Sequence, residues 1–378
     1  MSVSAMSMAP LRMEPKSLWL RDRRWDLIFI TFSVLLVPFP YIFYILGVQL
    51  GVNEDISRNA VNGVVAVLVG GPHMYATFMR TNFDRQFVGR YPMLIRSALI
   101  IPVVVLSLAF LNLTLLLGIF FFWALIHVLH QATYIVELYN HREAQKKGIN
   151  QPLQLSKLLS TPSRMIDYAL ILTCMMPVSG YKISQGNFEI GTNDLMAVIP
   201  VFFQQLWFFI LMSVVFGAAL LAYIVKTAAE IRGGYVNWPK TVFIILTVVV
   251  SFFVPALPNL DTAFQGMNTW HSLQYLALTF FILKIRQQRG ELESEAPIIN
   301  RLAEGNDSRK LYLVSMSMVG VSVALGAVIY IMAMLVDPEN AHTNAHFDAA
   351  YYSSILCFLW IHYYYDHFLF TDFEAIDP

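Results

Sequence analysis

Between Phe120 and His141 the chain reads FFFWALIHVLHQATYIVELYNH. Laid on a helix, His127, His130, Tyr134, Glu137 and His141 recur every three or four residues and share one face, while Phe, Ile, Leu and Val occupy the other. Imidazole, carboxylate and phenol in one stripe can ligate a transition metal and move protons. On a soluble protein such a stripe would be ordinary surface. In a lipid-soluble chain it is costly and marks a functional site.

Other apolar runs carry matching groups. His73 follows a Gly70-Gly71-Pro72 break, where a kink is expected, and Asn268, His271 and Tyr275 share a face with Gln274 alongside. In LWIHYYYDHFLF, His362 and Asp366 are four apart, as are Tyr363 and His367. At 1.5 Å per residue, the nearest flanking charge puts His73 roughly 10 Å deep, His130 roughly 18 Å, His271 roughly 20 Å and His362 roughly 15 Å. A common depth is what a shared centre requires. The expected ligands are His73, His127, His130, His271 and His362, with Asp366 or Glu137 as a further ligand or as a hydrogen-bond acceptor behind them. Glu137, Asp366 and Tyr134 are the candidate catalytic groups, moving protons. His141 and His367 read as solvated residues near the interface, His342 and His346 as part of a polar loop helix, and Tyr363, Tyr364 and Tyr365 as an interfacial aromatic belt.

The elements that must position these residues follow from composition. Of 378 residues, 57% are hydrophobic and 13% charged, against about one quarter charged in soluble domains, which excludes a soluble enzyme. Runs long enough to cross a hydrocarbon core fall near 26–48, 59–79, 94–111, 113–139, 163–180, 197–225, 240–257, 264–284, 311–336 and 349–370. All of the 25 basic residues except Arg58 and Lys182 lie on one side of that arrangement. Basic loops stay in the cytoplasm, so the expected fold is all-α and polytopic, with about ten transmembrane helices and both termini cytoplasmic. Residues 1–25 read as a retained cytoplasmic tail, 26–370 as a single transmembrane domain and 371–378 as a short cytoplasmic tail. A bacterial inner membrane is the expected location.

Several chemistries are excluded. Net charge is zero and nucleic acid is not an expected partner; Cys174 and Cys357 sit in apolar runs and read as packing. GGP at 70–72 is a helix break rather than a phosphate loop, and neither GxSxG nor HExxH occurs.

A histidine cluster on the cytosolic half of a helical membrane protein resembles the general plan of the integral-membrane iron oxygenases and desaturases. Their HxxxH and HxxHH boxes are missing here; His127 and His130 form one HxxH and the other histidines are dispersed. That style is closer to the bacterial membrane carotenoid-cleaving dioxygenases, with a few dispersed histidines around one iron, but no diagnostic motif matches and no residue is carried over. The expected function is a membrane metal-dependent oxidoreductase or oxygenase, with non-haem iron, taking a lipophilic substrate sideways from the bilayer. One alternative is a haem b protein with two axial histidines. Another is a proton-coupled secondary transporter relaying through the histidines, Glu137 and Asp366; a five-plus-five repeat would pair spans 2 and 4 with 7 and 9, whereas the later histidines lie in 8 and 10.

Overall fold

Apolar runs that must satisfy every backbone polar group internally fold as helices, and the chain does so nearly throughout. The computed structural model describes residues 17–146, 162–190, 193–305, 307–336, 344–372 and 375–376. Its main helices are α1 (Arg23–Gln49), α2 (Glu54–Arg80), α3 (Pro92–Leu111), α4 (Leu113–Lys146), α5 (Pro162–Thr173), α6 (Met176–Ser184), α7 (Leu206–Arg232), α8 (Trp238–Ala256), α9 (Leu260–Gln288), α10 (Arg309–Val336) and α11 (Asn344–Leu369). Among the described residues, sheet is limited to an antiparallel pair, Glu189–Ile190 with Asn193–Asp194. His342, Lys147, Lys157 and most of the proposed N-terminal tail lie outside the described residues.

Polar residues punctuate the helices. The Asp22 carboxylate accepts from the Trp25 N–H, and Asn53 caps α2 by accepting from Asp55 and Ile56. Asn112 separates α3 from α4 and accepts from Leu115 N–H at 2.9 Å, which places the break where the sequence predicts it. The expected span 163–180 is two helices instead, because Pro177 follows a turn at Cys174 and Met175. At the start of the expected span 197–225 lies a short 3-10 turn, Val201–Gln204.

Among the described residues, seven helices (α1, α2, α3, α4, α7, α8 and α10) are long and apolar enough to cross a membrane. Helices α7 and α10 expose Ile210, Val214, Leu221, Val323, Ile331 and Leu335, an apolar surface that suits lipid and not water. Fold and surface together point to an all-α integral membrane protein. Helices α9 and α11 are equally long, at 29 and 26 residues, but less apolar because their inner faces carry the candidate site.

Two irregular turns shape the interior. In α2 the stretch Ala66–Gly70 is π-helical and runs straight into Gly71, Pro72 and His73; the expected kink is realised as a widened turn, a device frequent at functional sites. Pro72 has no N–H to give the carbonyl four residues back, that of Leu68, and the Tyr312 hydroxyl of α10 donates to it at 2.7 Å. In α1 a π stretch (Asp26–Thr31) is followed by a 3-10 stretch (Phe32–Leu36), and the Ile30 carbonyl accepts from Gln274 Nε2 of α9 at 2.7 Å. The two helices meet closely: a Cβ added at Gly266 would lie 1.9 Å from the Val37 carbonyl oxygen. Helix α2 therefore packs between α9, α10 and α11, with the candidate residues facing the middle.

Candidate metal centre

Four helices each bring an imidazole into one buried cluster. His73 of α2, His127 of α4, His271 of α9 and His362 of α11 are all at most 4% exposed, and Asp366, one turn beyond His362, is fully buried. One ligand atom from each of His73, His271 and His362 lies within 4.8 Å of the other two, and the same holds for His127, His362 and Asp366, so His362 joins the two sets. The ring centroids of His73 and His362 are 4.6 Å apart, those of His73 and His271 5.1 Å, and those of His127 are 4.9 Å from both His271 and His362. Most of these rings meet edge to face, as groups directed at a common centre do.

Hydrogen bonds behind two of the rings fix which nitrogen carries the proton. Tyr275 Oη donates to Asp366 Oδ1 at 2.8 Å, which uses its one proton. Its 2.6 Å contact with Thr77 Oγ1 is then donated by Thr77, and the 2.5 Å contact between Thr77 Oγ1 and His362 Nδ1 is donated by the ring. The lone pair of neutral His362 is thereby on Nε2. Similarly, Ser272 Oγ donates to Asn268 Oδ1 at 3.0 Å and so accepts from His73 Nδ1 at 2.8 Å, leaving the His73 lone pair on Nε2. Those two atoms, His127 Nε2, both nitrogens of His271 and Asp366 Oδ2 are buried without a hydrogen-bond partner. Asp366 Oδ2 is 3.4 Å from His362 Nδ1 and 3.7 Å from His127 Nε2 without hydrogen-bonding geometry. Buried polar atoms are ordinarily paired, and an unpaired cluster asks for an ion. Imidazole with carboxylate suits Fe, Zn, Cu or Mn. The donor set fits a transition metal.

Not every expected residue joins the cluster. His130 lies three residues past His127, about 60° round the helix; its ring sits 5.7 Å from His367 and 5.2 Å from Phe370, apart from the other four. Tyr134 stacks on Phe370, and its hydroxyl donates to the Asp372 carbonyl at 2.9 Å. Glu137, ten residues and roughly 15 Å of helix from His127, accepts from Asn140 at 2.8 Å and faces Arg164 at 3.5 Å. Beyond Asn140 the same network continues to Lys240, Asp167 and Lys226. Glu137 thus belongs to the joint between α4, α5, α7 and α8.

Among the tyrosines, Tyr363 is buried and stacks on His127 at 4.1 Å, because α11 turns that face into the bundle. The reading of Tyr363 as interfacial is corrected accordingly. His141 is likewise buried rather than solvated, with Nε2 3.1 Å from Gln145 Nε2, whereas His367 is exposed. The sequence places Tyr275 on the face of His271, but Thr77 and Ser272 were not singled out by it. Thr77 is four residues from His73, and that spacing is the signal that could have found it.

A cavity of about 600 Å³ opens beside the cluster. His73, His271 and Tyr363 form part of its wall, and Phe121, Phe264 and Leu359 are among its apolar residues. Comparison of the chain with family models, curated proteins and solved structures finds no match.

Proposed function

We propose that the chain is a membrane-embedded metalloenzyme, a non-haem iron oxidoreductase or oxygenase, acting on a lipophilic molecule held in the cavity beside His73 and His271. The observation that carries this reading is the pair of donor sets, His73 with His271 and His362 and His127 with His362 and Asp366, joined at His362 and reaching the wall of an apolar chamber at His73 and His271. In this arrangement α9, α11 and the α5–α6 pair cross the bilayer with the seven apolar helices, giving ten spans with the basic loops and both termini in the cytoplasm.

His73, His127, His271 and His362 would hold the ion, with Asp366 as a further ligand or as the acceptor that orients Tyr275. Bound iron would supply a redox centre and Lewis acidity toward oxygen atoms. The chain's own contributions are orientation and dryness. Thr77 and Ser272 lock the His362 and His73 tautomers, Tyr363 backs His127, and apolar residues around the chamber exclude water from the reacting carbon. Asp366, hydrogen-bonded to Tyr275 and open at Oδ2, is the carboxylate placed to take or return a proton; Glu137 and Tyr134 face away from the centre.

The test is elemental analysis of the purified protein, with absorbance in the Soret region recorded alongside. One iron per chain, lost in His271→Ala and His362→Ala while the helical signal is kept, supports the reading. A Soret band would replace it with the haem alternative. Absence of transition metal after expression in iron-replete medium would overturn it.

A further inference from the structure

The converging atoms of the cluster are buried, so a cation bound there needs a way in. The cavity does not offer one: its walls are mostly apolar, and a charge crossing them would lose its hydration without replacement. On α2, three residues beyond Thr77, the buried guanidinium of Arg80 repels a cation approaching along that helix. Toward the end of α11 the cluster is covered by Phe370, which is 2% exposed and follows the last helical residue. Its ring lies 5.7 Å from that of His127 in the cluster and 5.2 Å from that of His130 outside it. His130 is half-buried and its ring is 5.7 Å from that of the exposed His367, so imidazoles from α4 and α11 stand together. Ring contacts thus run in series from the surface inward through His367, His130, Phe370 and His127. Along α11, His367 is five residues beyond His362, roughly 7.5 Å nearer the exposed Asp372.

Phe370 is fastened by Tyr134. The two rings stack at 5.1 Å, and the Tyr134 hydroxyl donates to the Asp372 carbonyl at 2.9 Å, which holds the turn that follows α11. Helix ends open more readily than interiors.

We infer, on the reading of the cluster as a metal centre, that His130 and His367 form the capture site for an entering divalent transition-metal cation, with Phe370 as the door to the cluster and Tyr134 as its latch. Imidazole suits such a cation, and the pair offers fewer donors than the cluster, so transfer runs inward. Opening needs the swing of one ring and the loss of one hydrogen bond, while the bundle stays in place. With the door shut again, the cluster is dry.

The test is kinetic. Full-length protein in lipid nanodiscs is stripped with a chelator and mixed with cobalt(II), whose visible absorption changes when imidazole replaces water; release is then followed in excess EDTA. A residue on the path but not at its end changes uptake and release by the same factor and leaves Kd, their ratio, untouched. Tyr134→Phe and Phe370→Leu should each speed both rates about tenfold, the scale of one lost hydrogen bond. The double variant His130→Gln with His367→Gln should slow both about tenfold, with final stoichiometry unchanged. A fold that was merely loosened would speed release alone and weaken Kd. Rates unmoved in these variants, or a Kd that moves with them, would overturn this inference and leave the metal centre standing. Wild-type protein that takes up no cobalt(II) would overturn both.

Discussion

Thr77 Oγ1 lies 2.5 Å from His362 Nδ1 and accepts its proton, so a hydroxyl on α2 decides which nitrogen of a ring on α11 is free to bind an ion. Removing that hydroxyl at constant shape tests the assignment. Thr77→Val should weaken metal binding about 10–100-fold, the usual cost of losing a partner behind a ligating histidine, and Thr77→Ser should restore it. Competition with a chelator of known affinity reads the difference. Unchanged affinity in Thr77→Val would show that the tautomer is set elsewhere.

His130 and His271 separate the cluster from its neighbourhood. His130→Ala should retain full metal stoichiometry, because that ring is turned to His367 and Phe370. His271→Ala, which removes two unpartnered nitrogens, should lose it. Metal analysis on both variants decides, and loss of metal in His130→Ala would return that residue to the ligand set.

The α1–α9 contact is a backbone contact and cannot relax by moving a side chain. Gly266→Ala would set a methyl 1.9 Å from the Val37 carbonyl and is expected to destabilise the protein by about 1–3 kcal/mol. Gly217→Ala on α7, with nothing within 4 Å of the added carbon, should be neutral or stabilising by up to about 1 kcal/mol. Thermal unfolding of the two variants in one detergent compares them directly.

Asp167 is fully buried between Lys226 and Lys240. Asp167→Asn leaves the Lys240 ammonium without its carboxylate and Lys226 with Glu230 alone, and should cost about 3–5 kcal/mol, the range for breaking a buried ion pair. Because this joint lies apart from the histidines, the fraction that remains folded should bind metal normally. A metal-free but folded Asp167→Asn protein would connect the two regions in a way their geometry does not.

Much of the site was legible because membrane burial makes rare residues conspicuous. His73, His127, His271 and His362 stand out against apolar runs, and counting from flanking charges put His73, His271 and His362 at a common level that the bundle then unites. His130 has the right depth but the wrong azimuth. Depth follows from counting residues, whereas azimuth relative to neighbouring helices depends on packing that one sequence does not display. Glu137 shows the same limit from the other side: it shares a helical stripe with His127, but ten residues of rise carry it into contact with Asn140 and Arg164. Thr77 and Ser272 are small hydroxyls of a kind common in apolar helices, and only their partners distinguish them. The irregular turn before His73 was signalled by Gly70, Gly71 and Pro72, though its form, a widened turn closed by Tyr312, depends on α10.

The last of the described helices, α11, supplies both His362, shared by the two sets of converging atoms, and Asp366. During synthesis, the earlier helices can enter the bilayer and meet one another while the centre still lacks the ring common to both sets. On the proposed reading ion capture would therefore be a late event of biogenesis, and a chain interrupted before Asn344 would present three orphan imidazoles to the membrane interior.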